Sequence, residues 1–312
     1  MSTAAHESRL GAPELKEVAD GVFAYIQPDG SWWINNTGLL VGRSGAVSVD
    51  TCATEARTRA YRDAIRTVTD RPVRTVVTTH HHGDHTHGNY LFREATIVAH
   101  ERTRQAQQEA GIWRDPPFWT PFDLGDVELE LPSLTFSDSV DLWVDDRRCH
   151  VRHVGQPAHT TNDSVLWMPE QSVLFAGDLL FAGGTPFLLM GSVAGAVEVL
   201  EQVLAPLAAT TIVPGHGEVG GPELVDDVLG YLRFVLDVAE RGRAAGLDPL
   251  AAARETDLGP YADWHDRERI VGNLHRAYLE LDGAERGAPI DLPAALGDMV
   301  AYNGGQPLTC LA

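Results

Sequence analysis

The sequence predicts an α/β fold. Residues 73–78 are rich in β-branched side chains and read as a buried strand, and similar short apolar runs recur along the chain. Residues 54–67 carry alanines at a helical spacing, which predicts a helix between two such runs. The apolar share of 44% is ordinary for a globular core, and 312 residues suffice for one large domain with appendages or two small ones.

The first part of the chain predicts strands interrupted by two helices. Val18 and residues 22–26 flank Asp20-Gly21, a pair typical of hairpin turns. We expect residues 1–13 to be disordered. Residues 111–132 are rich in Pro and aromatic side chains, which predicts a loop or lid. The other elements predicted before residue 111 are strands at 34–41, 46–50, 73–78 and 96–100, and helices at 54–67 and 101–110.

The second part predicts further strands and then a helical end. Ser192 is suited to cap a helix that runs to about residue 207. The Pro/Gly-rich tail, residues 283–312, is expected to pack on the body. The strands predicted here are 134–144, 147–154, 164–167, 173–176 and 211–213, and the later helices are 222–244, 249–256 and 263–282.

Charge and cysteine content limit the partners of the chain. A net charge of −20 and a pI near 4.9 argue against nucleic acid or an anionic membrane as partner. No apolar run approaches the roughly 20 residues of a membrane span. Cys52, Cys149 and Cys310 are far apart and odd in number, so they predict neither disulfides nor a cysteine zinc site. The first residues lack the features of a secretory signal, and we expect a cytoplasmic protein, with a homo-oligomer compatible with the sequence.

Residues 79–88, the His-rich segment, contain the densest group of side chains that can bind metal or catalyse a reaction. The segment directly follows a predicted strand. Its frame is H-x-H-x-D-H, formed by His80, His82, Asp84 and His85. Imidazole suits zinc, and a carboxylate completes a mixed nitrogen and oxygen donor set. On an extended loop, His80 and His82 point the same way and can share one metal ion, while Asp84 and His85 can reach a second. The segment therefore predicts a metal site.

The alternative for this segment is a solvated polyhistidine run or a purification tag. A tag carries no embedded Gly-Asp, is normally terminal and does not follow a buried strand. His81 and His87 lie outside the frame. We expect them to support the site from behind or to lie on the surface.

Three later segments each place one metal-capable side chain just past a predicted strand. These side chains are His159, Asp178 and His216, each near Gly or Pro residues that suit tight turns beside a site. A lone His or Asp after a strand is usually structural. Together with the His-rich segment, however, the three indicate one metal centre built from distant parts of the chain.

These segments, in this order, resemble the motifs of the metallo-β-lactamase superfamily of dinuclear metallohydrolases, which share a four-layer αββα sandwich. The resemblance covers about residues 15–220. It implies a catalytic domain at 14–220 and a C-terminal helical extension at 221–312 packed on the core. It also implies two Zn²⁺ per chain, the first held by His80, His82 and His159, the second by Asp84, His85 and His216, with Asp178 bridging both.

The same resemblance gives Asp50 a supporting role. It matches an aspartate that orients a ligand histidine without binding metal itself. The alternative, left open by the sequence, is that Asp50 caps the entry to the following helix.

Departures from the β-lactamases themselves point to a subgroup. True β-lactamases of the superfamily generally lack the bridging aspartate, and many place a cysteine on the second metal. Here Asp178 is present and the second donor set is Asp, His and His. This is similar to the thioesterase, lactonase and glyoxalase-II members. Glutathione-dependent members bind an anionic substrate through basic C-terminal residues, and the acidic C-terminal region here disfavours them.

We therefore expect a zinc hydrolase for a thioester, ester or lactone with a bulky apolar or aromatic acyl group. The substrate is either a small molecule by itself or an acyl group linked to a carrier or coenzyme A. By the resemblance, hydroxide on the zinc pair attacks the acyl carbon, and Asp84 or Asp178 is the catalytic carboxylate that accepts or relays a proton. Residues 27–36 and 176–183 are similar to an actinobacterial branch of polyketide cyclases and thioesterases. A polyketide cyclase/dehydratase using the same zinc pair is thus the alternative, while β-lactamase or glyoxalase-II activity is less favoured.

Aromatic side chains concentrate in loops predicted to surround the metals. An aromatic, weakly charged mouth suits a flat or bulky apolar group. Adjacent Trp32 and Trp33 would face opposite ways on an extended backbone, so we expect one packed and one exposed. The candidate substrate contacts are Trp32, Trp33, Phe118, Trp119, Phe181, Phe187 and Met190.

Overall fold

A computed structural model describes residues 10–114 and 117–312. Most of the segment expected to be disordered, residues 1–13, therefore lies outside the described residues. Two β-sheets pack face to face, and helices cover the outer face of each. The predicted αββα sandwich with C-terminal helices is confirmed.

The first sheet has seven strands within the described residues, and their spatial order follows the chain. Neighbours are antiparallel from β1 to β4 and parallel from β4 to β7. The predicted hairpin at Asp20-Gly21 joins β1 and β2. The strands are β1 (Glu14–Ala19), β2 (Val22–Ile26), β3 (Thr37–Val41), β4 (Ala46–Val49), β5 (Val73–Val77), β6 (Thr96–His100) and β7 (Leu134–Phe136).

The second sheet has five strands in the part of the chain that the structure describes, in the order β12-β11-β10-β9-β8. All neighbours are antiparallel except β11 and β12, which are parallel. The strands are β8 (Ser139–Val144), β9 (Arg147–His153), β10 (Ser164–Met168), β11 (Val173–Phe181) and β12 (Thr211–His216).

The helix α1 (Glu55–Val68) covers the outer face of the first sheet. It begins where the Thr54 side chain accepts a hydrogen bond from the Arg57 backbone N–H. Tyr61 and Ile65, one turn apart, lie on its buried face. Two further helices follow in this half of the sandwich, α2 (Gly83–Thr86) and α3 (Glu101–Ala110).

The remaining helices cover the second sheet and share its core. The helix that Ser192 caps runs as α4 over Val193–Val199 and continues with changed hydrogen bonding over Leu200–Leu204 and Ala205–Leu207. Among the described residues, no helix is both long and apolar enough to cross a membrane. The later helices are α5 (Glu223–Ala244), α6 (Pro249–Glu255), α7 (Arg269–Leu281) and α8 (Leu292–Tyr302).

The strand predicted at 134–144 is in fact two strands, β7 and β8, that belong to different sheets. The chain crosses between the sheets at Ser137 and Asp138. The carbonyl of Ser137 lies 3.1 Å from Nε2 of His100 in the first sheet. The carbonyl of Asp138 accepts a hydrogen bond of 2.9 Å from the backbone N–H of His153 in the second sheet. The alternation of apolar residues is interrupted only at Asp138 and resumes in the same phase at Val140, so the pattern predicts one strand.

Other elements also differ from the prediction. The strand predicted at 34–41 begins at Thr37, and the one predicted at 211–213 extends to His216. The strand predicted at 173–176 extends through Phe181, with a register shift at Gly177, where φ is +53°. The helix predicted from 263 begins only at Arg269, because Asp266 has a left-handed φ of +56°. The Pro/Gly-rich tail contains α8, which Asp291 caps by accepting from the backbone N–H of Ala294.

Candidate metal centre

Strand ends place most of the predicted metal ligands. The His-rich segment leaves β5 and turns into α2, which carries Asp84 and His85. His159 lies in the loop after β9, and His216 is the last residue of β12. His216 and Asp178 differ from the expectation, since His216 is the last residue of β12 rather than beyond its end and Asp178 lies inside β11. The register shift at the preceding residue turns its side chain toward the other ligands.

Four side chains form the first donor set: His80, His82, His159 and Asp178. Their candidate ligand atoms all lie within 4.8 Å of one another. Nδ1 of His82 is 2.9 Å from Nε2 of His159, which in turn is 3.3 Å from Oδ2 of Asp178. Nε2 of His80 is 3.9 Å from the same Asp178 oxygen. Three imidazole nitrogens thus converge beside one carboxylate.

The second donor set contains Asp84, His85, His216 and again Asp178. Nε2 of His85 is 2.9 Å from Oδ1 of Asp178, and Nε2 of His216 is 3.3 Å from Oδ2 of Asp84. Asp178 therefore faces both sets. A side chain at Gly215 would leave no room for it, since a Cβ there would lie 1.9 Å from Oδ1 of Asp178.

The second ring nitrogen of every histidine in the two sets has a partner on the side away from the cluster. Such partners fix the ring orientation and the tautomer of a metal ligand. The pairs are His80 Nδ1 with Thr79 Oγ1 (3.0 Å), His82 Nε2 with Met190 Sδ (3.2 Å), His85 Nδ1 with Asp50 Oδ2 (2.9 Å), His159 Nδ1 with the Phe187 carbonyl (2.5 Å) and His216 Nδ1 with the Gly30 carbonyl (3.1 Å).

Asp50 holds the His-rich segment as well as the His85 ring. It accepts hydrogen bonds from the backbone N–H of Thr79 (2.7 Å) and from its hydroxyl (2.8 Å). The alternative role as a helix cap is filled by Thr54. Asp50 itself has a left-handed φ of +60°, a strained conformation for a residue other than glycine.

Unpaired buried atoms show that the two donor sets fit a cation. Nε2 of His80, Nε2 of His85 and Oδ1 of Asp178 are buried and form no hydrogen bond within the described part of the chain. The last two lie 2.9 Å apart without hydrogen-bond geometry. Buried polar atoms without partners are costly, and nitrogen and carboxylate donors at this spacing are those that zinc prefers. The residues present therefore fit zinc.

The electrostatics of the two sets differ. Burial holds the pKa values of His80 and His82 well below their usual value, so both rings are neutral donors. Burial also acts on His85, but the carboxylates of Asp178 and Asp84 outweigh it and raise the pKa of His85 well above its usual value. A cation bound at the second donor set would be stabilised by the same carboxylate charges that favour protonation of His85.

The donor sets open onto a cavity of about 510 Å³, within the usual range for small-molecule sites. The predicted substrate contacts at its wall are Trp32, Trp33, Trp119, Phe181, Phe187 and Met190. Both adjacent tryptophans reach it, contrary to the expectation that one is exposed. The reason is a left-handed φ of +67° at Trp33, so the backbone turns there instead of extending. Phe118 does not line the cavity and instead packs edge-on against Trp113 and Trp119.

Two histidines expected behind the site or at the surface also line the cavity. His81 contacts the Asn162 amide through Nδ1 at 3.0 Å, and burial lowers its pKa to about 4. His87 is buried, with its ring centre 6.0 Å from that of Trp33. Neither belongs to a donor set.

The large side chains of the cavity that sequence reasoning missed are Trp113, Arg269, Leu292 and Leu296. Trp113 lies in the predicted Pro-rich loop, and its aromatic neighbours were a usable signal. The other three come from α7 and α8 in the C-terminal extension, more than fifty residues beyond His216. Nothing in their local sequence indicates a site, because only long-range packing brings them there.

The sequence profile described as "Metallo-beta-lactamase superfamily" matches residues 30–216, more than half of the chain. The chain belongs to the metallo-beta-lactamase superfamily. This confirms the resemblance found in the sequence, and a superfamily of metal-dependent hydrolases supports an enzyme.

Individual superfamily members are similar at a distance. A metallo-beta-lactamase type 2 of Bacteroides fragilis is 25% identical over 224 residues, covering 68% of this chain and 82% of that protein. A hydroxyacylglutathione hydrolase of Rhodospirillum rubrum is 28% identical over 186 residues, covering 57% and 60%. The solved metallo-beta-lactamase from Pontibacter korlensis aligns with a TM-score of 0.60 at 19% identity, covering 71% of this chain and 99% of that one. This last likeness shows the fold alone.

Proposed function

We propose that the protein is a dinuclear zinc hydrolase that cleaves a thioester, ester or lactone with a bulky apolar or aromatic acyl group. The observation that carries the proposal is the position of Asp178 between two donor sets that open onto an aromatic cavity. We assign catalysis to residues 14–220 and treat residues 221–312 as an extension packed on them. The substrate is either a small molecule by itself or an acyl group linked to a carrier or coenzyme A.

The first donor set, His80, His82 and His159, would hold one zinc ion, and Asp84, His85 and His216 would hold the second, with Asp178 shared. Zinc, when bound, supplies Lewis-acid stabilisation of negative charge and lowers the pKa of water. The protein contributes the ring orientations, through the outer partners of each histidine, and a largely apolar cavity.

Asp84 is the carboxylate best placed to accept a proton from the attacking water. Both carboxylates line the cavity, but the side chain of Asp84 is 13% exposed, against 4% for Asp178. Asp178 is committed to both donor sets. We therefore assign proton transfer to Asp84 and the shared anchoring role to Asp178.

The cavity wall favours the apolar acyl group over a polar one. Trp119 and Phe187 each pack edge-on against Trp32, with ring centres 5.2 Å from that of Trp32 in both pairs. Such a wall offers flat apolar surface and few charges. The three cysteines are buried and free, which suits the reducing cytoplasm where we propose that the enzyme acts.

The proposal is tested with zinc-loaded protein and the 2-acetamidoethyl thioester of 2-naphthoic acid. We expect two zinc ions per chain by elemental mass spectrometry and release of free thiol that stops on chelation and returns with added zinc. One zinc ion per chain at full activity would contradict the dinuclear arrangement. Equal thiol release by the chelated protein would contradict zinc hydrolysis altogether.

A further inference from the structure

The side chain of Trp32 is held in place from the C-terminal extension. Its indole Nε1–H donates a hydrogen bond of 2.7 Å to Oε1 of Glu268. The guanidinium carbon of Arg269 lies 3.9 Å from the centre of the Trp32 ring, a close cation–π contact. Glu268 and Arg269 stand together at the start of α7. Two consecutive residues thus fix both the edge and the face of one indole.

Arg269 is itself firmly placed. It is 2% exposed, its Nη2 is 2.8 Å from Oδ2 of Asp266, and its Nη1 donates to the carbonyl of Thr185 at 2.9 Å. Its Nε forms no hydrogen bond among the described residues. A carboxylate of the protein thus already lies beside this guanidinium, whose carbon is stacked on the Trp32 ring. The contacts therefore point to a role in shaping the cavity wall.

Trp32 lies at the centre of the aromatic contacts that form that wall. It is 6% exposed, lines the cavity, and contacts Trp119 and Phe187 edge-on. It comes from the loop before β3, far in sequence from α7. A tilt of its ring would change the flat surface offered to an acyl group.

We infer that Glu268 and Arg269 are specificity-determining positioning residues, which hold Trp32 as the flat wall that selects aromatic acyl groups. The inference rests on the proposed function, since it names what the site of that hydrolysis prefers. Both residues lie beyond residues 30–216, the part matched by the superfamily profile. The preference would thus be set by a part of this chain outside the superfamily domain.

The experiment compares two thioesters with the same 2-acetamidoethyl leaving group, one of acetic acid and one of 2-naphthoic acid. The measured quantity is the ratio of kcat/KM for naphthoyl over acetyl. Glu268→Ala removes the acceptor of the indole hydrogen bond, whereas Glu268→Gln keeps an oxygen in its place. Arg269→Met removes the cation, and Arg269→Lys retains it. Glu240→Ala, an exposed glutamate on α5, is the matched surface control.

We expect the ratio to fall about tenfold in Glu268→Ala and Arg269→Met, mainly through KM for the naphthoyl substrate, because one hydrogen bond or cation–π contact is lost. Glu268→Gln and Arg269→Lys should keep most of the ratio, and Glu240→Ala all of it. An unchanged ratio in Glu268→Ala, or equal losses in Glu268→Ala and Glu268→Gln, would overturn the inference. The Glu268 pair decides the question if Arg269→Met does not fold.

A binding measurement separates this inference from the proposed function. Titration calorimetry with 2-naphthamide, a neutral amide that needs no turnover, should show weaker binding to Glu268→Ala than to the unaltered protein and Glu268→Gln. If the unaltered zinc-loaded protein releases no thiol, the proposed hydrolase function is contradicted. Calorimetry then still tests whether Glu268 holds Trp32 in the position that binds an aromatic group. No binding of 2-naphthamide to the unaltered protein, or equal binding to all variants, would overturn the inference.

Discussion

The sulfur of Met190 lies 3.2 Å from Nε2 of His82, on the side of the ring opposite to the nitrogen that faces the donor sets. Histidines that bind metal usually donate their outer N–H to a carboxylate, a carbonyl or water. A thioether is a much weaker acceptor. His82 is thus the least firmly held of the five candidate histidine ligands, and its partner is also a cavity residue.

Met190→Leu should weaken zinc binding modestly. The variant keeps an apolar side chain of similar size but removes the acceptor of His82, so we expect a loss of zinc affinity of about tenfold, the low end for an outer partner. Competition with a chromophoric chelator measures it. Met299→Leu, a buried methionine of α8, is the control. Equal effects of the two substitutions would show that Met190 acts only by packing.

Asp50→Asn should weaken zinc binding more strongly. The amide cannot accept from both Thr79 donors and the His85 ring as the carboxylate does, and we expect a loss of about 10–100-fold in zinc affinity. Thr54→Ala is the control, since it removes the true cap of α1 and should lower the free energy of unfolding by about 1 kcal/mol with zinc affinity unchanged. An Asp50→Asn protein with full zinc affinity and reduced stability would assign Asp50 a purely structural role.

Asp178→Asn should lower zinc occupancy at both donor sets, because this carboxylate faces both. We expect fewer than two zinc ions per chain and a loss of kcat/KM greater than the roughly 10–100-fold expected for an outer partner. Elemental analysis and thiol release measure the two quantities. Asp141→Asn, an exposed aspartate on β8, should leave both unchanged. Full activity of Asp178→Asn with one zinc ion per chain would contradict a shared carboxylate.

A stacked histidine pair away from the metal centre predicts a pH dependence of stability. The rings of His153 and His100 are 4.1 Å apart and nearly parallel. The pKa of His153 is lowered to about 4, chiefly by burial and then by the neighbouring His100 and by Arg102, against the opposing effects of a hydrogen bond with the Thr161 backbone and of Asp138. Between pH 6.5, near which an unfolded histidine titrates, and about 4, the unfolded chain binds a proton that the folded protein does not. Stability should therefore fall as the pH falls through this window.

His153→Phe tests that dependence. Phenylalanine keeps the stacking but carries no proton, although it loses the bond from the Gly155 N–H to Nδ1 of His153. We expect a lower Tm at pH 7.5 and a shallower loss of Tm between pH 6.5 and 4.5. Chelated protein is used throughout, so that loss of zinc does not contribute. Parallel curves for the two proteins would show that His153 does not titrate in this range.

The sequence predicts much of the metal centre because its candidate ligands lie close to strands that hydrophobic patterning reveals. The bounds of β6 and α3 were predicted without error. Patterning does not reveal where a strand changes sheet, as at Ser137, or where a bulge prolongs it past Asp178. Those depend on which neighbours supply backbone hydrogen bonds.

The wall of the cavity was harder to predict than the metal centre. The expectation that only one of Trp32 and Trp33 faces inward assumed an extended backbone. It is wrong because Trp33 has a left-handed φ, which turns the backbone so that both side chains reach the cavity. Arg269 had no local signal at all, since its place beside Trp32 results from the packing of α7 on the second sheet. Side chains brought in by the tertiary fold, rather than by strand ends, therefore escaped prediction.

The central claim is that zinc in this centre supports hydrolysis of an acyl substrate. Product mass in ¹⁸O-labelled water tests it most directly, with zinc-loaded and chelated protein and an aromatic-precursor β-ketoacyl thioester. The account predicts a free thiol and an acid that has gained one solvent oxygen, formed only with zinc. A zinc-dependent product lighter by one water, with its acyl group retained, would contradict it and identify a cyclase.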